Sequence, residues 1–132
     1  MIGIGIIGFG TVGTGTYKIL SEHSSLIRAR TGLDLQVVKV ADIDLERPRV
    51  AGVDPAILTR EASEVIKHKD VHIVVELMGG IEPARTFISE ALKGRKWGVT
   101  ANKALLAEKG DELFKVALTK GCEIGFEASV CG

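Results

Sequence analysis

A chain of 132 residues with 45% hydrophobic residues, 26% charged residues and only 3 prolines is long enough for one domain with its own core, and this composition excludes the disordered and collagen-like classes. Lys plus Arg and Asp plus Glu both number 17 and aromatics make up 5%, so neither a basic face nor a stacking surface for nucleic acid is offered. The longest apolar stretch, residues 1–10, lacks a basic flank and falls short of a bilayer span, and Cys122 and Cys131 make no disulfide framework, so a cytoplasmic setting without membrane contact is expected.

Ile2, Ile4, Ile6 and Ile7, with small residues between them, predict a strand buried on both faces of a parallel sheet. From Thr11 the apolar period turns helical through Val12, Thr16, Ile19, Leu20, Leu26 and Ile27, which predicts one long helix stopped at Gly32. Residues 35–41 predict the second strand, with Asp42 at its C-terminal end. Residues 43–58 hold two of the three prolines and predict a loop with a short third strand near residues 50–53. Thr59 is the expected cap of a helix carrying Ala62, Val65 and Ile66, and residues 71–76 form the next buried strand. After Gly79 and Gly80, Pro83 opens the clearest amphipathic helix, which runs through Ala84, Phe87, Ile88, Ala91 and Leu92 to a stop at Gly94. Residues 97–100 predict a strand, Asp111 caps a helix that ends at Gly121, and residues 122–127 predict the last strand. This alternation predicts an α/β fold: a doubly wound, mostly parallel Rossmann-type sheet with helices on both faces, in one domain over residues 1–132.

Six of the 16 glycines fall within the first fifteen residues. Gly8, Gly10 and Gly13 form G-x-G-x-x-G between a predicted strand and a predicted helix. In a dinucleotide site the first permits the tight turn, the second lets backbone approach a pyrophosphate, and the third lets helix pack on strand. The anion then rests on the N–H groups that open the helix. The competing reading is a glycine-rich turn without a ligand. Asp42 is placed to accept from ribose hydroxyls, although it lies beyond the usual spacing of about 20 residues; an exposed turn acid is the alternative. Gly79 and Gly80 sit where ligands of open α/β sheets bind, and they either admit a nicotinamide ring or simply turn the chain. Lys103, at the same edge after the next strand, either polarises a carbonyl oxygen or is a surface lysine. His68 and His72 straddle a helix end and a strand start, so they are not expected to bind metal.

The strings GIIGFGTVG, VVKVADID, IVVELMGG followed by EPA, VTANKALLA and FEASVCG closely resemble, in order and spacing, the N-terminal nucleotide-binding domain of homoserine dehydrogenase. The resemblance covers nearly the whole chain, and VVELMGG and VTANKALLA are far more specific than the glycine pattern. It implies an NAD(P)-dependent oxidoreductase that interconverts L-homoserine and L-aspartate 4-semialdehyde on the way to threonine, methionine and isoleucine. It places cofactor contacts on Gly8, Phe9, Gly10, Thr11, Val12 and Gly13, on Asp42, on Met78, Gly79 and Gly80, and on Asn102 and Lys103. Lys103 is the implied catalytic residue beside the nicotinamide. Backbone carbonyls of Glu127, Val130 and Gly132 would bind a monovalent cation, sodium or potassium.

Two departures from the family pattern shape the expectations. Many members carry an arginine directly after the acid of strand two, where this chain has Ile43, so NAD is expected to bind at least as well as NADP unless Arg47 or Arg49 folds over the adenosine end. The family's substrate and dimerisation region follows the FEASVCG segment, so this chain is expected to be a fragment that binds cofactor, is inactive alone and belongs to a homo-oligomer when complete. Two other readings remain: a stand-alone NAD(H)-sensing domain, and a semialdehyde dehydrogenase with Cys131 as nucleophile.

Overall fold

In the computed structural model, residues 1–126 are described. Strand β1 (Ile2–Ile7) is central, pairing in parallel with β2 (Leu35–Ala41) on one side and with β4 (Ile73–Glu76) on the other. Beyond β2 lies the two-residue β3 (Leu58–Thr59), and beyond β4 lie β5 (Trp97–Thr100) and β6 (Ile124–Phe126). The resulting order β3-β2-β1-β4-β5-β6, parallel throughout, is that of the doubly wound dinucleotide-binding sheet.

Both faces of this sheet are covered, as its apolar strands require. Ile4 and Ile6 of β1, Val40 of β2 and Val75 of β4 share one core with Tyr17 and Leu20 of α1 (Thr11–Glu22). Ile7, Ala41 and Val74, one residue out of phase, pack on the opposite face against Val65 and Ile66 of α4 (Ala62–Ile66) and Ala91 of α5 (Ala84–Lys93). Helix α6 (Lys103–Lys120) packs against α5 through Leu105, Leu113 and Ala117, which meet Ala84, Ile88 and Leu92. Arg85 Nη1 also donates to Glu112 Oε1 at 3.2 Å across this helix pair. No helix among the described residues is long and apolar enough to cross a membrane.

Several boundaries differ from expectation for identifiable reasons. The predicted long helix is two, α1 and α2 (Ser24–Thr31), broken at His23, where the exposed Ser24-Ser25 pair follows and no residue of α2 is buried against the body. Gly32 does end it, in the left-handed conformation at φ 76°. The third strand lies at β3 rather than at residues 50–53. Val50 instead ends α3 (Glu46–Val50), and residues 51–53 follow it; α3 is a helical turn entered through Glu46 N–H donating to Asp44 Oδ1 at 3.0 Å and held by an Arg49–Glu46 pair at 2.7 Å. Thr59 is therefore a strand residue; its hydroxyl accepts from Glu61 N–H at 3.0 Å, and Glu61 holds the cap position of α4.

Strand β4 begins at Ile73, two residues later than predicted, although His72 N–H still donates to Gly3 O. Helix α6 begins eight residues before Asp111, because Asn102 Oδ1 accepts from Leu105 N–H at 3.0 Å and caps it there. Strand β6 begins at Ile124 rather than at residue 122, and the predicted end of that strand at Glu127 lies outside the described residues.

Candidate functional site

The order of the sheet reverses at β1, which has β2 on one side and β4 on the other, and this opens a crevice at the strands' C-terminal ends. The turn after β1 forms one wall. Gly8 takes φ 97°, its N–H donates to Ala41 O at 2.9 Å, and the chain then enters α1. Gly13 in the first turn of α1 passes directly over this turn: a Cβ there would stand 2.5 Å from Gly8 O. Gly10 differs, because a Cβ on it would meet only Arg47 Nη1, at 3.6 Å, and would otherwise face open space. As the N-cap of α1, Gly10 supplies no side-chain acceptor for the first N–H groups of the helix. Between the two glycines Phe9 is buried, its ring 5.8 Å from that of Tyr17.

Asp42, at the end of β2, is bound to this turn. Its Oδ2 accepts from Phe9 N–H at 2.6 Å and its Oδ1 from Asp44 N–H at 2.8 Å. Each carboxylate oxygen keeps a second lone pair for another donor. Gly8, Gly10, Asp42, Met78 and Gly79 line a single cleft of about 590 Å³. A second recess, lined by Gly10, Thr11, Thr14 and Arg47, continues from it over the start of α1. Arg47 faces both spaces, with Asp44 at 3.7 Å, whereas Arg49 pairs with Glu46 and lines neither. Val12 lies exposed on the first turn of α1.

The other side of the crevice is built by the ends of β4 and β5. Glu76, wholly buried, is level with Thr100 in the register of these strands. Glu76 Oε1 accepts from the Thr100 hydroxyl at 2.6 Å, and Oε2 accepts from Met78 N–H at 2.6 Å. Burial pushes the Glu76 carboxyl above its usual range, and these two donors pull it part of the way back. Thr100 Oγ1 also accepts from Asn102 N–H at 3.0 Å, while Asn102 Nδ2 donates to Gly80 O. Gly80 turns the chain at φ 79° and does not line the cleft. Lys103 follows as the first residue of α6, exposed to solvent.

The candidate cofactor and catalytic residues from Gly8 to Lys103 thus sit at one edge of the sheet, with Asn102 and Lys103 one strand away from the cleft. Glu127, Val130, Gly132 and Cys131 lie outside the described residues. Among the described residues no cluster of metal-binding side chains occurs; His72 Nδ1 accepts from Gly3 N–H at 2.8 Å instead. The Glu76–Thr100 pair was not singled out as a pair. Its signal was a polar residue ending each of two adjacent apolar strands.

Comparison with known proteins places this geometry in context. Residues 8–127 match the family described as homoserine dehydrogenase, NAD binding domain. The homoserine dehydrogenase of Bacillus subtilis (strain 168) is 40% identical over 131 residues, 99% of this chain and 30% of that protein. That of Corynebacterium glutamicum is 43% identical over 131 residues, 99% of this chain and 29% of that protein. The chain therefore spans about 30% of the length of these curated relatives. Among solved structures, a homoserine dehydrogenase from Thiobacillus denitrificans superposes with a TM-score of 0.89 at 39% identity, covering 96% of this chain and 29% of that one. A hyperthermophilic archaeal homoserine dehydrogenase in complex with NADPH superposes with a TM-score of 0.77 at 25% identity, covering 97% and 44%.

Proposed function

The chain belongs to the homoserine dehydrogenase NAD-binding domain family, and from that premise we propose that residues 1–132 form the NAD(P)-binding domain of an enzyme interconverting L-homoserine and L-aspartate 4-semialdehyde. The observation that carries the reading is the open Gly10 backbone at an uncapped helix start, beside Asp42 at the point where the strand order reverses. A dinucleotide fits these residues: unpaired N–H groups for its pyrophosphate, a carboxylate for its ribose hydroxyls, and a cleft wide enough for its body.

In this reading residues 10–13 hold the pyrophosphate on backbone N–H groups, and Arg47 adds a guanidinium from the facing turn. Asp42 accepts from the adenosine ribose while its bonds to Phe9 and Asp44 hold it in place. Met78, Gly79 and Gly80 border the nicotinamide. When bound, the cofactor supplies a carbon that accepts or gives a hydride. Lys103 holds its ammonium toward the substrate oxygen, where negative charge develops. A cation at a helix N-terminus is opposed by the helix dipole, at a cost of about 0.3–1 kcal/mol.

The substrate-orienting groups belong to the remainder of the enzyme, which works as a homo-oligomer in the cytoplasm, with a monovalent cation held by carbonyls of Glu127, Val130 and Gly132. The test is titration of the chain with NAD and NADP by calorimetry, together with NAD(P)H absorbance in a complete enzyme carrying this domain. Binding plus homoserine-dependent reduction supports the reading. A folded chain that binds neither dinucleotide overturns it.

A further inference from the structure

The loops after β4 and β5 are joined by a closed ring of hydrogen bonds. Met78 N–H donates to Glu76, the Thr100 hydroxyl donates to the other Glu76 oxygen, Asn102 N–H donates to Thr100, and the Asn102 amide donates back to Gly80. The ring therefore grips the loop of residues 78–80 at both ends, and through Asn102 Oδ1 it also sets where α6 begins. A carboxylate is an expensive residue to bury wholly within an apolar sheet, and Ile or Val would satisfy packing alone. What a carboxylate adds is two acceptors on one rigid plane, each facing a donor from a different loop.

We propose that Glu76 is a positioning residue for the nicotinamide end of the site: through Thr100 and Asn102 it fixes the loop of residues 78–80 and the first turn of α6 that carries Lys103 relative to each other. This rests on the dinucleotide reading above and adds a role to a residue that touches neither cofactor nor substrate. The adenosine and pyrophosphate are assigned to a separate set, Gly10, Asp42 and Arg47, which shares no hydrogen bond with the ring. The two ends are therefore separable by experiment.

The glutamine variant keeps the shape but offers only one acceptor, and its amide nitrogen must donate where the carboxylate accepted, reversing the polarity toward either Met78 or Thr100. Thr100→Val removes the hydroxyl at constant volume, and Thr100→Ser retains it. The chain and these three variants are titrated with NADH and, separately, with ADP-ribose, which has the adenosine and pyrophosphate but no nicotinamide. Glu76→Gln and Thr100→Val should each weaken NADH by about tenfold while leaving ADP-ribose within about twofold, and Thr100→Ser should match the unaltered chain for both.

Equal losses for the two ligands would make the ring a general structural support and overturn the proposal. Unchanged NADH affinity in Glu76→Gln and Thr100→Val would overturn it too. Should Glu76→Gln not fold, Thr100→Val decides the matter with the same two outcomes. An unaltered chain that binds neither ligand overturns the dinucleotide reading and this proposal together, whereas normal binding without a selective loss overturns the proposal alone.

Discussion

Gly13 crosses so close to Gly8 that a Cβ on the former would stand 2.5 Å from the carbonyl oxygen of the latter, while Gly10, three residues earlier, faces open space. The two glycines of one motif therefore answer to different demands. Gly13→Ala should force α1 away from β1 and cost about 1–3 kcal/mol, seen as a fall in Tm of roughly 5–10 °C. Gly10→Val, at the cap of α1, should lower Tm less than Gly13→Ala does yet weaken dinucleotide binding by about 100-fold or more, because the side chain fills the place of the pyrophosphate. Melting curves and calorimetric titrations of both variants check this; a folded Gly10→Val protein with undiminished affinity contradicts it.

The preference between NAD and NADP depends on Asp42 and Arg47. Asp42 repels a 2′-phosphate and Ile43 offers it no donor, so NAD should bind at least as tightly as NADP. Arg47 stands beside Gly10 and the start of α1, a position suited to the pyrophosphate common to both cofactors. Arg47→Ala should therefore weaken NAD and NADP alike, by about tenfold. Side-by-side titrations test it, and a loss confined to NADP would move the guanidinium to the adenosine end.

Glu76 should give the fold a distinctive pH dependence. Burial raises its folded pKa above the ordinary 4.5, so the native state binds this proton more tightly than the unfolded chain does. That contribution is fully present below the unfolded pKa and is lost as pH rises through the raised folded value. Glu76→Gln cannot ionise. The difference in urea midpoint between the variant and the unaltered chain should therefore shift in the variant's favour as pH rises above the ordinary carboxyl value of 4.5. Parallel curves across that range would show that burial does not perturb this carboxyl.

Catalysis needs more than cofactor, since orienting the substrate against the nicotinamide supplies up to about 7–11 kcal/mol. The chain alone should bind dinucleotide without measurable homoserine oxidation. In a complete enzyme, Lys103→Ala should lower kcat by about 100-fold or more while changing cofactor affinity little. Both are read from NAD(P)H absorbance, and a fully active Lys103→Ala enzyme would return that lysine to an ordinary surface role.

How far the sequence disclosed this arrangement varies from element to element. The isoleucines of β1, the glycine turn, the strand 35–41 ending at Asp42, and the stops at Gly32 and Gly121 carry local signals that suffice by themselves, and the structure has all of them. The start of α6 was obscured by Asp111, a residue type that favours helix caps but here sits inside the helix, eight residues after its first residue. Strand β3 has two residues and exists only by pairing with Val40 and Ala41, so nothing local announces it. The candidate site followed the same division. Glycines and acids close in sequence could be read, whereas the Glu76–Thr100 bond joins residues 24 apart whose contact depends on strand register.

Phe9 gives the glycine turn a property beyond shape. With its ring in the core against Tyr17 and its N–H on Asp42, the most flexible part of the motif is held before any ligand arrives. Freezing a residue's backbone costs about 1–2 kcal/mol, so a turn of three unordered residues would forfeit roughly 3–6 kcal/mol of binding energy on engagement. Here folding has already met that entropy loss, and the contacts of the anion with the turn can appear almost undiminished as affinity.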